Sequence, residues 1–120
     1  NQKVVDMTNK GILHIVEPNL QQYLQEVVNN KSLKAVTKPE TSDVYLIVVP
    51  TPFKGNHEPD ISYVQSATGM GIPLLKENDL FIIESTSPVG TTELMTKLIF
   101  SKILGKFSTG NTSNSVELLE

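Results

Sequence analysis

Between Pro18 and Asn30 the apolar residues fall at Leu20, Tyr23, Leu24, Val27 and Val28. That i, i+3, i+4, i+7, i+8 spacing lines one face of an α-helix. Pro18 suits its first position, where a missing N–H costs no hydrogen bond, and Asn29-Asn30 suit its end. A shorter helix is predicted over residues 2–10, with Asn1 as its cap and Gly11 as its stop. The pattern then changes period. LKAVT (33–37) reads as a short strand. VYLIVV (44–49) is apolar without alternation, the pattern of a strand buried on both faces in a parallel sheet, and Pro50 and Pro52 end it. LFIIES (80–85) is a second strand of this kind. Between them Ile61, Val64, Ala67, Thr68 and Ile72 mark a helix that Asp60 caps and that Gly69, Gly71 and Pro73 weaken in its second half. A last helix opens at Thr91 or Thr92, turns Leu94, Met95, Leu98 and Ile99 inward with Phe100 at the margin, and stops at Gly105.

The predicted order is α-α-β-β-α-β-α, which implies an α/β sheet with right-handed crossovers. Residues 106–120, rich in Ser, Thr, Asn and Gly, read as a flexible tail, and the closing Leu119-Glu120 are set aside as a cloning remnant. With 120 residues, 38% apolar and 19% charged, the chain is one globular domain or part of one. No apolar run approaches the ~20 residues of a membrane span, and the opening NQKVVDMTNK has no signal-peptide core, so the cytoplasm is the expected compartment. A net charge of −3 with scattered basic residues argues against nucleic-acid or anionic-membrane partners. The absence of cysteine removes disulfides, thiolate metal sites and cysteine nucleophiles together.

Ligands of open α/β sheets bind beyond the carboxyl ends of the strands. Two such ends concentrate polar chemistry here, VPTP (49–52) and ESTSPVG (84–90). Their hydroxyls suit ribose or phosphate oxygens, and the helix opening at Thr91 and Thr92 favours an anion. The same residues also serve ordinary capped turns. His57 in HEPD lacks the three or four placed ligands a metal needs, and His14 and Tyr23 read as packing residues. Lys54 reads as a solvated loop lysine. No GxGxxG turn, P-loop or Ser-His-Asp order is present.

VPTPFKGNHEPDISYV and ESTSPVGTTE resemble the NAD-binding domain of the UDP-glucose/GDP-mannose dehydrogenase family. The resemblance runs from Asn1 to about Phe100. HIVEPNL and PTPFKGNHEPD are closest to members acting on UDP-N-acetyl-D-mannosamine. It implies a partial Rossmann-like three-layer domain over residues 1–105, with a mainly parallel sheet that lacks the first two strands and the GxGxxG turn. It also implies oxidation of the C6 alcohol of a UDP-sugar to a carboxylate, with two NAD⁺ used in succession through a cysteine-bound intermediate. By motif, Thr51 and Thr92 match cofactor-contacting positions. Glu84, Ser85 and Thr86 match the strand end facing nicotinamide and substrate, and Thr86 also matches a threonine that helps position water. The glycine turn and the ribose-binding acid belong before Asn1, and the catalytic cysteine and lysine after residue 105, so the chain reads as an internal slice. A sheet missing two strands has a bare apolar edge at 44–49, which predicts either rearrangement of 33–37 beside it or a homo-oligomer. The competing reading is a non-catalytic α/β piece that acts only in self-assembly or protein interaction.

Overall fold

A computed structural model describes residues 1–107 and 117–119. The chain forms two compact units, Asn1–Pro39 and Glu40–Glu120.

In the first unit, α1 (Gln2–Asn9) is capped by Asn1, whose side chain accepts the Lys3 N–H. Gly11, at φ 67°, ends the turn that follows, and the Ile12 N–H returns to the Met7 carbonyl at 2.9 Å. Gly11 is needed twice over: besides its left-handed backbone, an added Cβ would lie 3.2 Å from Gln25 Cγ and 3.3 Å from Gln25 Cα. Helix α2 (Leu20–Asn29) begins two residues after Pro18, behind Asn19 in the left-handed region, so Pro18 is not its first residue. Of the predicted stripe only Leu24 is buried; Val27 and Val28 are half-buried and Tyr23 is 63% exposed, which corrects its expected place in the core. His14 is likewise exposed, and with Tyr23 it lines an apolar cleft between Thr8, Leu13 and Leu33.

Two side-chain amides hold this unit together. Gln21 donates to the Gly11 carbonyl and accepts the Leu13 N–H at 3.1 Å. Asn9 donates to the Ala35 carbonyl at 2.9 Å and accepts the Ala35 N–H at 2.8 Å. Residues 33–37 form no strand; the backbone groups of Ala35 pair with the Asn9 side chain instead of with a neighbouring strand.

In the second unit, β1 (Val44–Ile47) and β2 (Leu80–Ile83) pair in parallel, Tyr45 opposite Phe81 and Ile47 opposite Ile83. The third strand, β3 (Glu117–Leu119), lies parallel on the far side of β2, giving the order β1-β2-β3. The third strand of the sheet is therefore not 33–37 but a segment inside the stretch expected to be a tail, and the two closing residues set aside include one of its members. Residues 108–116 of that expected tail lie outside the described residues.

Helices α3 (Ser62–Gly71) and α4 (Thr91–Phe107) connect the strands. The core joins Tyr45, Phe81 and Ile83 from the sheet to Val64 and Ile72 from the α3 segment and to Met95, Ile99 and Ile103 from α4. Burial of such side chains contributes about 1.5–3 kcal/mol each. In α4 Met95 and Ile99 point inward as expected, while Leu94 and Phe100 are 42% and 38% exposed, and the helix passes Gly105 without stopping. The weakness expected from Gly71 and Pro73 is realised as a 3₁₀ turn over Ile72–Leu74. Expectation and structure also part at β1. Tyr45 and Ile47 face the core, but Val44, Leu46 and, just past the strand, Val48 are 53%, 51% and 64% exposed, so this strand is covered on one face only.

Both ends of the β1–β2 pair are fastened. At the start, Leu80 N–H bonds the Asp43 carbonyl at 2.9 Å, and buried Asp79 accepts the Lys76 N–H at 2.8 Å across a turn with Asn78 at φ 68°. At the finish, the Glu84 N–H reaches the Ile47 carbonyl at 2.9 Å. Beyond that point the backbone ladder gives way to side chains.

Candidate functional site

The chain leaves β1 through Val48–Thr51 and leaves β2 through Glu84–Gly90, and both exits lie at the carboxyl end of the sheet. Parallel strands have no ladder left there, so two hydroxyls take over. Ser85 Oγ accepts the Val49 N–H at 3.1 Å and donates to the Val49 carbonyl at 3.0 Å, with the Ile47 carbonyl at 3.4 Å. Thr51 Oγ1 donates to the Thr86 carbonyl.

Next to this clasp is a cavity of about 290 Å³ lined by Ile83, Ser85, Ser87, Pro88, Val89, Gly90 and Thr92. Pro88 and Gly90, the latter at φ 89°, turn the chain into α4. The Thr91 hydroxyl and N–H both return to the Pro88 carbonyl, at 2.7 and 3.1 Å, which buries Thr91 as a structural residue and leaves Thr92 on the cavity. The first turn of α4 brings unpaired N–H groups and a partial positive charge to this wall.

Of the residues singled out in the sequence, Ser85 and Thr92 line the cavity, Thr51 fastens its margin, and Glu84 and Thr86 are exposed on the same strand end. Ser87, Val89 and Gly90 were not assigned a part, although the Pro-x-Gly turn that carries them was legible.

A second feature follows Thr51. Residues 52–60 fold back on themselves: Phe53 bridges Pro59, the Lys54 N–H bonds the Glu58 carbonyl at 2.7 Å, and the Asp60 N–H bonds the Pro52 carbonyl at 2.7 Å. Lys54 is not simply solvated; its Nζ pairs with Asp60 at 3.1 Å. Asp60 also accepts the Ser62 N–H at 3.0 Å, but it stands one residue before the cap position, which Ile61 occupies without a side-chain bond, so it is not the helix cap expected of it. Hydrogen bonds from Ser62, with Lys54 beside them, hold the Asp60 carboxyl below its ordinary value. Among the described residues no three His, Asp or Glu side chains group as a metal site.

The match to a family model decides what kind of site this is: residues 1–117 fit the model described as UDP-glucose/GDP-mannose dehydrogenase family, NAD binding domain. The chain belongs to that family. The match extends beyond residue 105, where the sequence motifs thinned out, and takes in the first residue of β3. Within the family, the chain is 54% identical over 98 residues to a UDP-N-acetyl-D-mannosamine dehydrogenase of Campylobacter jejuni, covering 81% of this chain and 24% of that protein. It is 50% identical over 93 residues to an NDP-N-acetyl-D-galactosaminuronic acid dehydrogenase of Ralstonia nicotianae, covering 78% of this chain and 22% of that protein. Among solved structures, a UDP-N-acetyl-mannosamine dehydrogenase from Staphylococcus aureus superposes with a TM-score of 0.84 at 32% identity, over 98% of this chain and 28% of that one. The chain spans about a quarter of the length of these relatives.

The domain is thus a partial Rossmann-like α/β domain, and its cofactor is NAD. The residues present fit part of that group. The cavity offers hydroxyls and a helix start to a small polar moiety such as a ribose or a carboxamide, but it is too small for a whole dinucleotide. The glycine turn that would cradle a pyrophosphate does not occur in these 120 residues.

Proposed function

We propose that this chain forms part of the NAD-binding domain of a nucleotide-sugar 6-dehydrogenase that oxidises UDP-N-acetyl-D-mannosamine to UDP-N-acetyl-D-mannosaminuronate. The observation that carries this reading is the pair of strand-end loops: the family's motifs at 49–52 and 84–92 are hydrogen-bonded to each other at one end of the sheet, where residues 83–92 line an open cavity. The names of the relatives support the substrate.

In this reading Thr92 and the opening of α4 hold a polar part of NAD, and Glu84, Ser85, Thr86 and Thr51 form the wall between cofactor and sugar. Bound there, NAD⁺ supplies the hydride acceptor. The contribution of these residues is to orient the acceptor and to keep a hydroxyl, that of Thr86, available to a water or a sugar oxygen. Thr86 suits this supporting role because it is exposed and its side chain has no partner among the described residues.

The exposed row of Val44 and Leu46 on β1, at the edge of the sheet, continued by Val48 just past the strand, supports a homo-oligomer or other covering chain as part of the working assembly. The nucleophile of a cysteine-bound pathway is not among these 120 residues, which contain no cysteine. The purified 120-residue chain is therefore expected to make no NADH from UDP-N-acetyl-D-mannosamine, whereas a complete dehydrogenase carrying it should. Failure of the complete protein to reduce NAD⁺ with any UDP-N-acetylhexosamine would overturn the proposal.

A further inference from the structure

We infer that Thr51 and Ser85 are positioning residues, which hold the backbone at Thr86 and donate no hydrogen bond to a ligand. This rests on the function proposed above.

A hydroxyl has one proton and two lone pairs. The Thr51 proton is committed to the Thr86 carbonyl. The Ser85 proton is committed to the Val49 carbonyl at 3.0 Å, with Ile47 sharing it at 3.4 Å, and one Ser85 lone pair takes the Val49 N–H at 3.1 Å. Neither hydroxyl has a proton left for an acceptor. Both are closed to phosphate and carboxylate oxygens, contrary to what a strand end rich in serine and threonine suggests at first. What remains is lone pairs alone, two on Thr51 and one on Ser85, so neither side chain can clamp an anionic group of the cofactor.

The same bonds fix the loop. The last backbone bond between the strands is Glu84 N–H to Ile47, and the contacts past it that join the two exits among the described residues are those of Ser85 and Thr51. They grip the β1 exit at Val49 and Thr51 and the β2 exit at Ser85 and Thr86. Thr86, the exposed hydroxyl between two cavity-lining serines, takes its place from this clasp. A side chain that acts through Thr86 affects turnover, whereas a direct cofactor ligand affects cofactor affinity.

The test uses a complete dehydrogenase carrying this segment, with initial rates measured over a range of NAD⁺ at saturating UDP-N-acetyl-D-mannosamine. Thr51→Val should lower kcat by about two- to tenfold, the span of one neutral hydrogen bond, with the KM for NAD⁺ held within about twofold. Thr51→Ser, which keeps the donor, should restore kcat. The double variant Thr51→Val/Thr86→Val should be no slower than Thr86→Val alone, because Thr51 acts through Thr86. A raised KM with unchanged kcat, or losses that multiply in the double variant, would overturn the inference. An inactive wild-type enzyme would instead sink the proposed function. The clasp is then decided by amide exchange at Val49, and equally so if Thr51→Val does not fold: Ser85→Ala should speed that exchange by about two- to tenfold, the effect of losing one bond, and an equal rate contradicts the clasp.

Discussion

Two glycines on α3, two residues apart, should respond to the same substitution with opposite signs. Gly71 sits where an added Cβ would meet Phe81 Cε2 at 3.2 Å, Phe81 Cζ at 3.8 Å and Tyr45 Cδ1 at 3.9 Å. The contact at 3.2 Å demands that the ring retreat by a few tenths of an ångström. Phe81 has nowhere to go. It is fully buried and stacks on Tyr45 with ring centroids 6.1 Å apart and planes 22° apart. Tyr45 is itself held, its hydroxyl donating to the Leu74 carbonyl at 3.2 Å and accepting the Ser42 N–H at 3.0 Å. Overpacking of this kind costs about 1–3 kcal/mol. Against it stand the helix preference for alanine and the smaller entropy of its unfolded chain, together roughly 1 kcal/mol. Gly71→Ala should therefore destabilise by about 1 kcal/mol. Gly69 has nothing within 4 Å of the same imagined atom, so only the favourable terms act there, and Gly69→Ala should stabilise by about 0.5–1 kcal/mol. Urea unfolding followed by far-UV circular dichroism measures both. A Gly71→Ala protein at least as stable as Gly69→Ala would refute the claim that the Tyr45–Phe81 stack is rigid.

Thr68 is fully buried and its hydroxyl has no hydrogen-bond partner among the described residues, so the isosteric Thr68→Val should raise stability by about 1 kcal/mol in the same unfolding assay. Asn9→Asp keeps the acceptor for the Ala35 N–H but sets a carboxylate against the Ala35 carbonyl; it should cost about 1 kcal/mol at neutral pH and less below about pH 4, read from thermal melts at the two pH values. Because the folded-state pKa of Asp60 lies below its ordinary value of 3.8, its stabilising effect is present above that value and is lost as pH falls through the lower, folded pKa. A carboxyl NMR titration should place Asp60 below 3.8 in wild type and nearer to it in Ser62→Ala, since Ser62 is the largest cause of the shift.

The parts of this fold that could be read from the sequence were those with a strong local signal. Asn1 and Gly11 bracket α1 because caps and left-handed glycines leave fixed residue types behind, and LFII read as a strand because a short β-branched and aromatic run favours one. Residues 33–37 have the same local preference but join no sheet, and Ala35 pairs with a distant side chain, Asn9, which no periodicity reveals. Glu117–Leu119 showed the converse: a weak three-residue signal that becomes a strand because β2 offers it an open edge. The one-sided burial of β1 could not be seen either, since an apolar run records what a strand is suited to and not what covers it. At the site, motif comparison found the right strand ends but not the bonding within them. Thr51, Ser85 and Thr86 look alike as hydroxyls in a loop, and only their distances separate the two that fasten backbone from the one that is free.

The central claim is that the exits of β1 and β2, with the start of α4, make the NAD-facing wall. Titration of the isotopically labelled 120-residue chain with NAD⁺, followed residue by residue through amide NMR shifts, tests it most directly. The chain holds no pyrophosphate cradle, so a weak millimolar interaction, roughly −4 kcal/mol, is expected. The amides of Ser85, Ser87, Gly90 and Thr92 should move together along one saturation curve. Shifts confined to the apolar cleft around Leu13, Tyr23 and Leu33, with residues 84–92 unmoved at saturating NAD⁺, would contradict it.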